Sequence, residues 1–227
     1  MTSAQLISRL RFLVGDKNSV IWTSDTDLYD ALTEAQNEFL LKVLGAPTIE
    51  DNYDLLAELI VTEAKSIDVA GLSLSTLDIV RGGIVSIKAS LRGEDRYFTK
   101  IPASKIGLMQ NQYFGGDDYN PKFIVLGNVL YVYVSIGSYP VTAILSYVST
   151  PVNVSGSVTL AVNPSFHDVV AVMAESILRR TNDDMEAAMV IDSLVQRHVA
   201  DVVRTGQKEP ATNTIGQYMR KREEGKP

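Results

Sequence analysis

The sequence predicts an α+β protein, in which N-terminal helices and a C-terminal helical hairpin pack together and a β insert lies between them in the chain. Apolar residues recur at helical spacing near both ends, they alternate in the middle, and the last residues are polar. The predicted regions are a helical domain (1–75 and 163–206), an antiparallel β-sandwich or barrel-like insert (76–162), and a flexible C-terminal tail (207–227).

Three helices are predicted in the N-terminal part. The first covers 3–14, because Thr2 and Gln5 have the spacing of a capping box. The second runs to about Leu44. A third is predicted over roughly 52–70, with an apolar face formed by Leu55, Leu56, Leu59, Ile60, Ala64 and Ile67.

The segment around Trp22 predicts the start of the second helix. Ser24 or Thr23 is a suitable N-cap, Asp27 falls in the first turn, where the helix dipole favours negative charge, and Leu28 begins the apolar face. Since Trp22 comes just before the cap, we expect it to fold back on this helix as a hydrophobic staple does.

Strand signals occupy the middle of the chain. Alternating apolar residues and turn residues predict two hairpins, one turning at Arg92–Asp95 and one at Gly127-Asn128. The expected strands are 84–91, 97–101, 122–126, 129–135, 141–149 and a weaker one within 152–162, with a short helix over 104–112.

The last ordered section is predicted to be a helical hairpin. Pro164 suits the first turn of a helix that covers about 164–181, and Asp183-Asp184 breaks and recaps it before a helix of about 184–204. The tail beyond it has little to bury, so on its own it should be disordered.

The charge distribution excludes some functions. Residues 1–78 carry 5 basic and 13 acidic residues, a net charge of −8, whereas residues 206–227 carry a net charge of +2. An acidic body repels phosphate, which disfavours nucleic-acid binding as the main function. No apolar run is long enough for a membrane span, and the pattern of Met1–Gly15 lacks the apolar core of a secretion signal.

Few residues are suited to catalysis or metal binding. The chain has no cysteine and two histidines. His167 adjoins Asp168, but adjacent helical residues do not face each other, and His198 lies near a helix C-terminus, which favours cations. Neither histidine has the partners of a metal motif.

The acidic pairs and the glycine pairs have structural explanations. Asp117-Asp118 and Asp183-Asp184 fit a loop turn and a helix cap, and the acids at 25, 27 and 30 lack the glycine and closing glutamate of a calcium loop. Gly82-Gly83 and Gly115-Gly116 fit bulges or turns better than a phosphate loop. We therefore expect no catalytic residue, no cofactor and no metal.

Two stretches carry a resemblance to a known family. The first stretch covers residues 10–16 and continues with Trp22–Gln36, which contains the pattern Leu-x-x-x-Leu-x-x-Ala-Gln. It resembles the opening of tailed-bacteriophage head–tail adaptor (connector) proteins. Pro164–Asp168 with the break at Asp183 is similar to the closing helical pair of that family. The family often has Asn where this chain has Thr33. The resemblance covers about half of the chain.

The resemblance implies a structural, non-enzymatic role in the virion. Such proteins form homo-oligomeric rings, commonly of twelve subunits, that dock to the portal protein in the neck and extend the DNA channel. DNA passes through without specific binding, and the ring offers an attachment surface to downstream tail or neck proteins. Assembly would follow synthesis in the cytoplasm of the bacterial host. Two alternatives stay open, another tail-completion or neck protein and, in a different class, a cell-wall hydrolase.

The tail contains a candidate docking segment for the portal. Ile215 shares one side of a short helix with Tyr218 or Met219, and a basic cluster of Arg220, Lys221 and Arg222 follows at once. Apolar residues beside a basic cluster suit insertion into an acidic groove, with order gained on binding.

Overall fold

The computed structural model describes residues 1–16, 18, 21–22, 24–45, 53–109 and 115–205. It has an α+β fold with two compact units. Met1–Leu59 together with the chain from Thr150 onward forms one, here the helical unit, and Ile60–Ser149 forms the other, here the β unit.

Four α-helices dominate the described part of the helical unit, and 3-10 helices cover Tyr53–Leu59 and Pro164–Phe166. The α-helices are α1 (Ser3–Val14), α2 (Thr26–Leu44), α3 (His167–Thr181) and α4 (Met185–Thr205). The capping box predicted for α1 is confirmed: the Thr2 hydroxyl accepts from the Gln5 amide, and the Gln5 side chain accepts from the Thr2 amide.

Helix α3 is the most deeply buried element of the helical unit. Val170, Ala171, Val172 and Ala174 are each 0% exposed, and the helix packs against α1, α2 and α4. Small and β-branched side chains on several sides of one helix let three neighbours approach it, which concentrates the hydrophobic core there.

The helix predicted over 52–70 is wrong. A 3-10 helix covers Tyr53–Leu59, and strand β1 (Ile60–Ile67) follows directly. The apolar spacing fits a helix up to Leu59, but the next eight residues pair in continuous register with a strand some eighty residues further along the chain. Such long-range pairing overrides local spacing.

The unit boundaries also differ from those expected. The division falls after Leu59 and after Ser149, whereas the sequence suggested residues 75 and 162. No strand forms within 152–162; this part of the chain belongs to the helical unit and contains a turn in which Ser155 and Val158 exchange backbone hydrogen bonds.

The β unit contains eight strands among its described residues, in two four-stranded sheets. One sheet has the order β1-β8-β3-β4 and the other has the order β2-β7-β6-β5. The remaining strands are β2 (Leu72–Ser73), β3 (Ile79–Leu91), β4 (Glu94–Tyr97), β5 (Thr99–Lys100), β6 (Lys122–Leu126), β7 (Val129–Tyr133) and β8 (Val141–Ser149).

Tight turns close the two hairpins. Arg92 and Gly93 both have positive φ (53° and 83°), as a type I′ turn requires, so β4 starts at Glu94 and the predicted four-residue turn shrinks to two. Gly127, with φ 60°, occupies the first position of the confirmed Gly127-Asn128 turn. In place of the helix expected over 104–112, a 3-10 turn at Ala103–Lys105 leads into a short helix at Ile106–Met109.

Both sheets contribute to a single cluster of buried side chains. It joins residues such as Ile87 and Leu145 of the first sheet to Phe123 and Leu130 of the second. Two features differ from the expected all-antiparallel insert. Strand β5 runs parallel to β6, and in the described residues β1, β4, β2 and β5 are sheet edges, so the strands do not close into a barrel.

Candidate functional site

The segment that joins α1 to α2 is held by the carboxylate of Asp16, which is 3% exposed. It accepts hydrogen bonds from the backbone amides of Ile21 and Trp22, each at 3.0 Å. Arg11 bridges Asp16 at 3.0 Å and Asp25 at 2.7 Å. One buried acid thus ties the end of α1 to the start of α2, and in the sequence it stood out only as the last residue of the stretch 10–16.

The four residues predicted as the structural motif lie in or beside this segment. Leu28 is 0% exposed and Trp22 is 8% exposed. The Ser24 hydroxyl accepts from the Thr26 amide at 3.2 Å, although the N-cap position itself is Asp25. Asp27 is exposed in the first turn of α2. That Trp22 packs on Leu28 or Leu32 stays a prediction.

Two polar residues of α2 fix the segment that precedes α3. Gln36 is 0% exposed; its side-chain oxygen accepts from the Ala161 amide at 2.6 Å and its nitrogen donates to the Val152 carbonyl at 3.4 Å. The Thr33 hydroxyl accepts from the Val154 amide at 2.9 Å. The Gln of the Leu-x-x-x-Leu-x-x-Ala-Gln pattern therefore has a structural role that its position in the sequence did not reveal.

The exposed face of α2 is acidic. Asp27, Asp30 and Glu34 follow one another at helical spacing on the exposed side, and no ion pair involves them within the described ranges. Further along, Glu38 pairs with Lys42 at 2.7 Å. We call Asp27, Asp30 and Glu34, with the exposed Leu41 beyond them, the acidic face of α2.

His167 is a structural histidine by its contacts. It is 2% exposed; Nδ1 accepts from the Met1 backbone nitrogen at 2.9 Å and Nε2 donates to the Val162 carbonyl at 3.1 Å. Burial lowers the pKa of His167 below its ordinary value of 6.5. With both nitrogens engaged and the ring neutral, the side chain fastens α3 to the chain around it.

The other ionisable candidates also serve the fold. His198 is buried and lines an apolar pocket with Phe39 and Phe166. Arg179 bridges the fully buried Glu175 at 2.8 Å and Asp184 at 2.7 Å, which joins α3 to the start of α4.

Asp117 and Asp118 do not form a pair of catalytic carboxylates. Asp117 accepts from the amides of two residues that follow it, and Asp118 accepts from the Ser135 amide and the Ser138 hydroxyl and pairs with Arg92 at 3.2 Å. Burial opposes ionisation of Asp118, but these hydrogen bonds outweigh it, so its pKa lies below the ordinary value of 3.8. A general acid would need the opposite shift.

The bulge expected at Gly82-Gly83 is confirmed, whereas Gly116 lies where another stretch of backbone approaches closely. Gly82 has φ 81° and lies at a register shift of β3 against β8, and a Cβ at Gly116 would come within 2.2 Å of the Tyr133 carbonyl oxygen. Across the described residues, no cluster of three His, Asp or Glu side chains is arranged to hold a metal ion. None of the described helices is long and apolar enough to cross a membrane.

The predicted docking segment, with Ile215, Tyr218, Met219, Arg220, Lys221 and Arg222, lies outside the described residues. No protein-family model matches the chain, and no curated protein sequence matches it significantly. Within the described residues, the polar groups discussed above stabilise the fold of the two units.

Proposed function

We propose that this chain is the subunit of a head–tail adaptor ring in a tailed-phage virion. In this proposal it docks to the portal protein, extends the DNA channel and offers an attachment surface to downstream tail or neck proteins. The proposed layout packs the N-terminal helices with the C-terminal hairpin and leaves residues 207–227 as an arm. The observation that carries the proposal is the placement of the residues that resemble this family.

Those residues coincide with the contacts that organise the helical unit. Asp16 ends the first stretch and anchors the Trp22 backbone, while Gln36 ends the second and holds the chain that leads into α3. This coincidence favours a shared scaffold and, with it, the shared role.

The charge of the helical unit fits a channel through which DNA slides. This unit contains 13 basic and 20 acidic residues, a net charge of −7. A channel wall of the same sign as the DNA backbone removes the attraction to phosphate on which non-specific binding depends. DNA then passes without a specific contact.

The proposed portal contact is the segment 215–222. Its apolar residues, Ile215, Tyr218 and Met219, precede the three consecutive cations Arg220, Lys221 and Arg222. A partner that binds it needs an apolar pocket rimmed by carboxylates, and the segment would order on binding.

Negative-stain electron microscopy tests the proposal directly. The purified chain should be imaged alone and after mixing with the portal protein encoded in the same genome. We expect closed rings with an axial opening, stacked coaxially on the portal. Particles that stay monomeric in the presence of portal, or a compact two-fold dimer that excludes a ring, would count against the adaptor role.

A further inference from the structure

The β unit contains an open cleft of about 760 Å³. Its apolar lining comes from Leu74 and from residues of β3 and β6, and the turn Gly127-Asn128 forms part of its rim. The volume lies within the range of about 300–1,000 Å³ that is usual for ligand sites. No residue of this cleft belongs to the contacts discussed above, apart from the glycine at the register shift.

Two cations line the cleft, Arg81 and Lys100. Both are exposed, and neither forms an ion pair with any residue in the described part of the chain. Arg81 lies within the irregular stretch of β3, where residues 80–83 have no partner in register on β8. Bulges of this kind often occur next to functional sites, where they change the direction in which a side chain points.

The absence of local partners for these cations contrasts with the rest of the β unit. Lys65, Lys88, Arg92 and Arg96 each pair with a carboxylate of the same unit. Of the remaining cations of this unit, Arg81 and Lys100 lie together at a cleft with an apolar floor. This combination fits a ligand that presents carboxylates beside an apolar side chain, because each cation then gains a partner and the floor is covered.

The helical unit of the same chain has a surface with that chemistry. On the acidic face of α2, Asp30 and Glu34 are one helical turn apart, and Leu41 follows on the same side with 48% of its surface exposed. The other large exposed apolar residues of this unit include Ile21, Val152 and Met189. Acids also precede Met189, but Asp184 pairs with Arg179, and Glu186 is the one acid before Met189 within its own helix.

The charges of the two units match this complementarity. The helical unit has a net charge of −7, whereas the β unit, with 8 basic and 7 acidic residues, has +1. An acidic helix face on one unit and a cleft with two cations on the other favour head-to-tail association of copies, and a rotation that closes makes a ring.

We propose that the cleft lined by Arg81 and Lys100 binds the acidic face of α2 of a second copy of this chain. The apolar floor receives Leu41, and Asp30 and Glu34 meet the two cations, in the manner of a helix that docks into a groove. This inference rests on the proposed function, since it names the subunit contact of the ring.

Charge reversal with rescue tests the contact. Arg81→Glu with Lys100→Glu changes the cleft, and Asp30→Lys with Glu34→Lys changes the helix. Each double variant should weaken self-association roughly tenfold or more, because like charges then face each other. An equimolar mixture of the two variants should associate again, as should a chain that carries all four changes. Sedimentation velocity over a concentration series measures this.

The matched control is Lys105→Glu with Arg197→Glu, which changes the net charge by the same amount at exposed positions that neither line the cleft nor belong to α2. It should associate like the unaltered chain. Circular dichroism checks that every variant is folded. The inference is wrong if the cleft variant associates as well as this control, as would happen if the cleft takes an unrelated acidic ligand.

Cysteine cross-linking gives a second readout that does not depend on charge. The chain has no cysteine, so Asn37→Cys on the exposed side of α2 and Asn128→Cys on the cleft rim introduce the only thiols. The double variant should form a ladder of disulfide-linked oligomers under mild oxidation, whereas each single variant should stop at a small fraction of dimers. A monomer band alone for the double variant contradicts the contact.

The outcomes separate this inference from the adaptor role. Rings that persist with the reversed cleft, without the ladder, overturn the contact and leave the adaptor proposal standing. If the ladder and the rescue are both observed, but the particles neither close into rings nor bind the portal, the contact is supported and the adaptor role is overturned. If the unaltered chain self-associates neither alone nor in the presence of the portal, both are wrong.

Discussion

The two units of the molecule leave charged groups of opposite sign without an ion pair. In the helical unit, Asp27, Asp30 and Glu34 are exposed without an ion pair in the described residues, although Lys42 and Arg180 pair with nearby acids. In the β unit, four of the eight cations pair with carboxylates of the same unit, whereas Arg81 and Lys100 line a cleft without such a partner in the described residues.

The proposed subunit contact uses this difference, because it joins the unpaired cations of the β unit to the unpaired acids of α2. Exposed ion pairs add little to stability, so we expect the stability of both units to depend on their buried contacts. Four predictions, from the largest expected effect to the smallest, compare the two units in these contacts.

Removing the Trp22 side chain should have the largest effect. Trp22 is 8% exposed, and Trp22→Ala should lower the free energy of unfolding of the helical unit by about 3 to 5 kcal/mol, as large-to-small changes in a core do. Denaturant unfolding followed by circular dichroism measures it. The neighbouring Ile21 is 59% exposed, so Ile21→Ala is the matched control and should change stability by less than about 0.5 kcal/mol. Equal effects of the two changes would contradict the burial of the indole.

In the β unit, Gly116 should be the position most sensitive to an added side chain, because the backbone of Tyr133 lies close to it. A Cβ there would lie 2.2 Å from the Tyr133 carbonyl oxygen, so Gly116→Ala should destabilise this unit by roughly 1 to 3 kcal/mol through overpacking. Gly107→Ala is the control, because nothing lies within 4 Å of its added Cβ. Hydrogen exchange of β6 and β7 amides reports on the β unit alone; unchanged protection in Gly116→Ala would refute the prediction.

The two units should respond to acid in different pH ranges. The pKa of His167 is lowered from 6.5, so its contribution to stability is present above about pH 6.5 and is lost as the pH falls, because the unfolded chain binds a proton that the folded chain resists. The pKa of Asp118 is lowered from 3.8, so its contribution is lost only as the pH falls below that value.

Unfolding between pH 7 and 5 therefore separates the units. The helical unit should lose stability over this range, and His167→Gln should flatten the dependence while the β unit stays unaffected. Asp118→Asn is the reciprocal variant and should alter the profile only at lower pH. An unchanged slope in His167→Gln would show that other groups dominate the acid response.

The smallest effect on stability is expected from the C-terminal tail. Truncation after Gly206 removes the proposed docking segment but none of the contacts that hold the helical unit among the described residues. The melting temperature should stay within about a degree, whereas attachment to the portal in a co-sedimentation assay should weaken. Docking with unchanged affinity would exclude residues 215–222 as the arm.

Much of the helical unit could be predicted from local sequence. The capping box at Thr2 and Gln5, the end of the first helix at Val14 and the break before α4 are decided within one or two turns of chain, and each lies where it was expected. The Gly127-Asn128 hairpin was equally predictable, because a two-residue turn needs a residue that tolerates positive φ.

The structure of the two wrongly predicted segments depends on residues elsewhere in the chain. Residues 60–67 have helix-compatible spacing, yet their backbone groups pair with β8, some eighty residues away. Residues 152–162 have strand-like composition, yet the side chains of Thr33 and Gln36 hold their amides. In both segments the hydrogen-bond partners are remote, and no local pattern encodes them.

The sequence by itself determined the helix ends, the tight turns, the absence of cysteine chemistry and the uneven distribution of charge. These depend on backbone sterics, capping and composition, which act over a few residues. Only the tertiary structure decided that Asp16 is a buried anchor, that His167 is held neutral, and that Arg81 and Lys100 share one cleft. Burial and proximity between distant residues follow from how the chain packs, and packing sums many weak contacts that no short stretch of sequence contains.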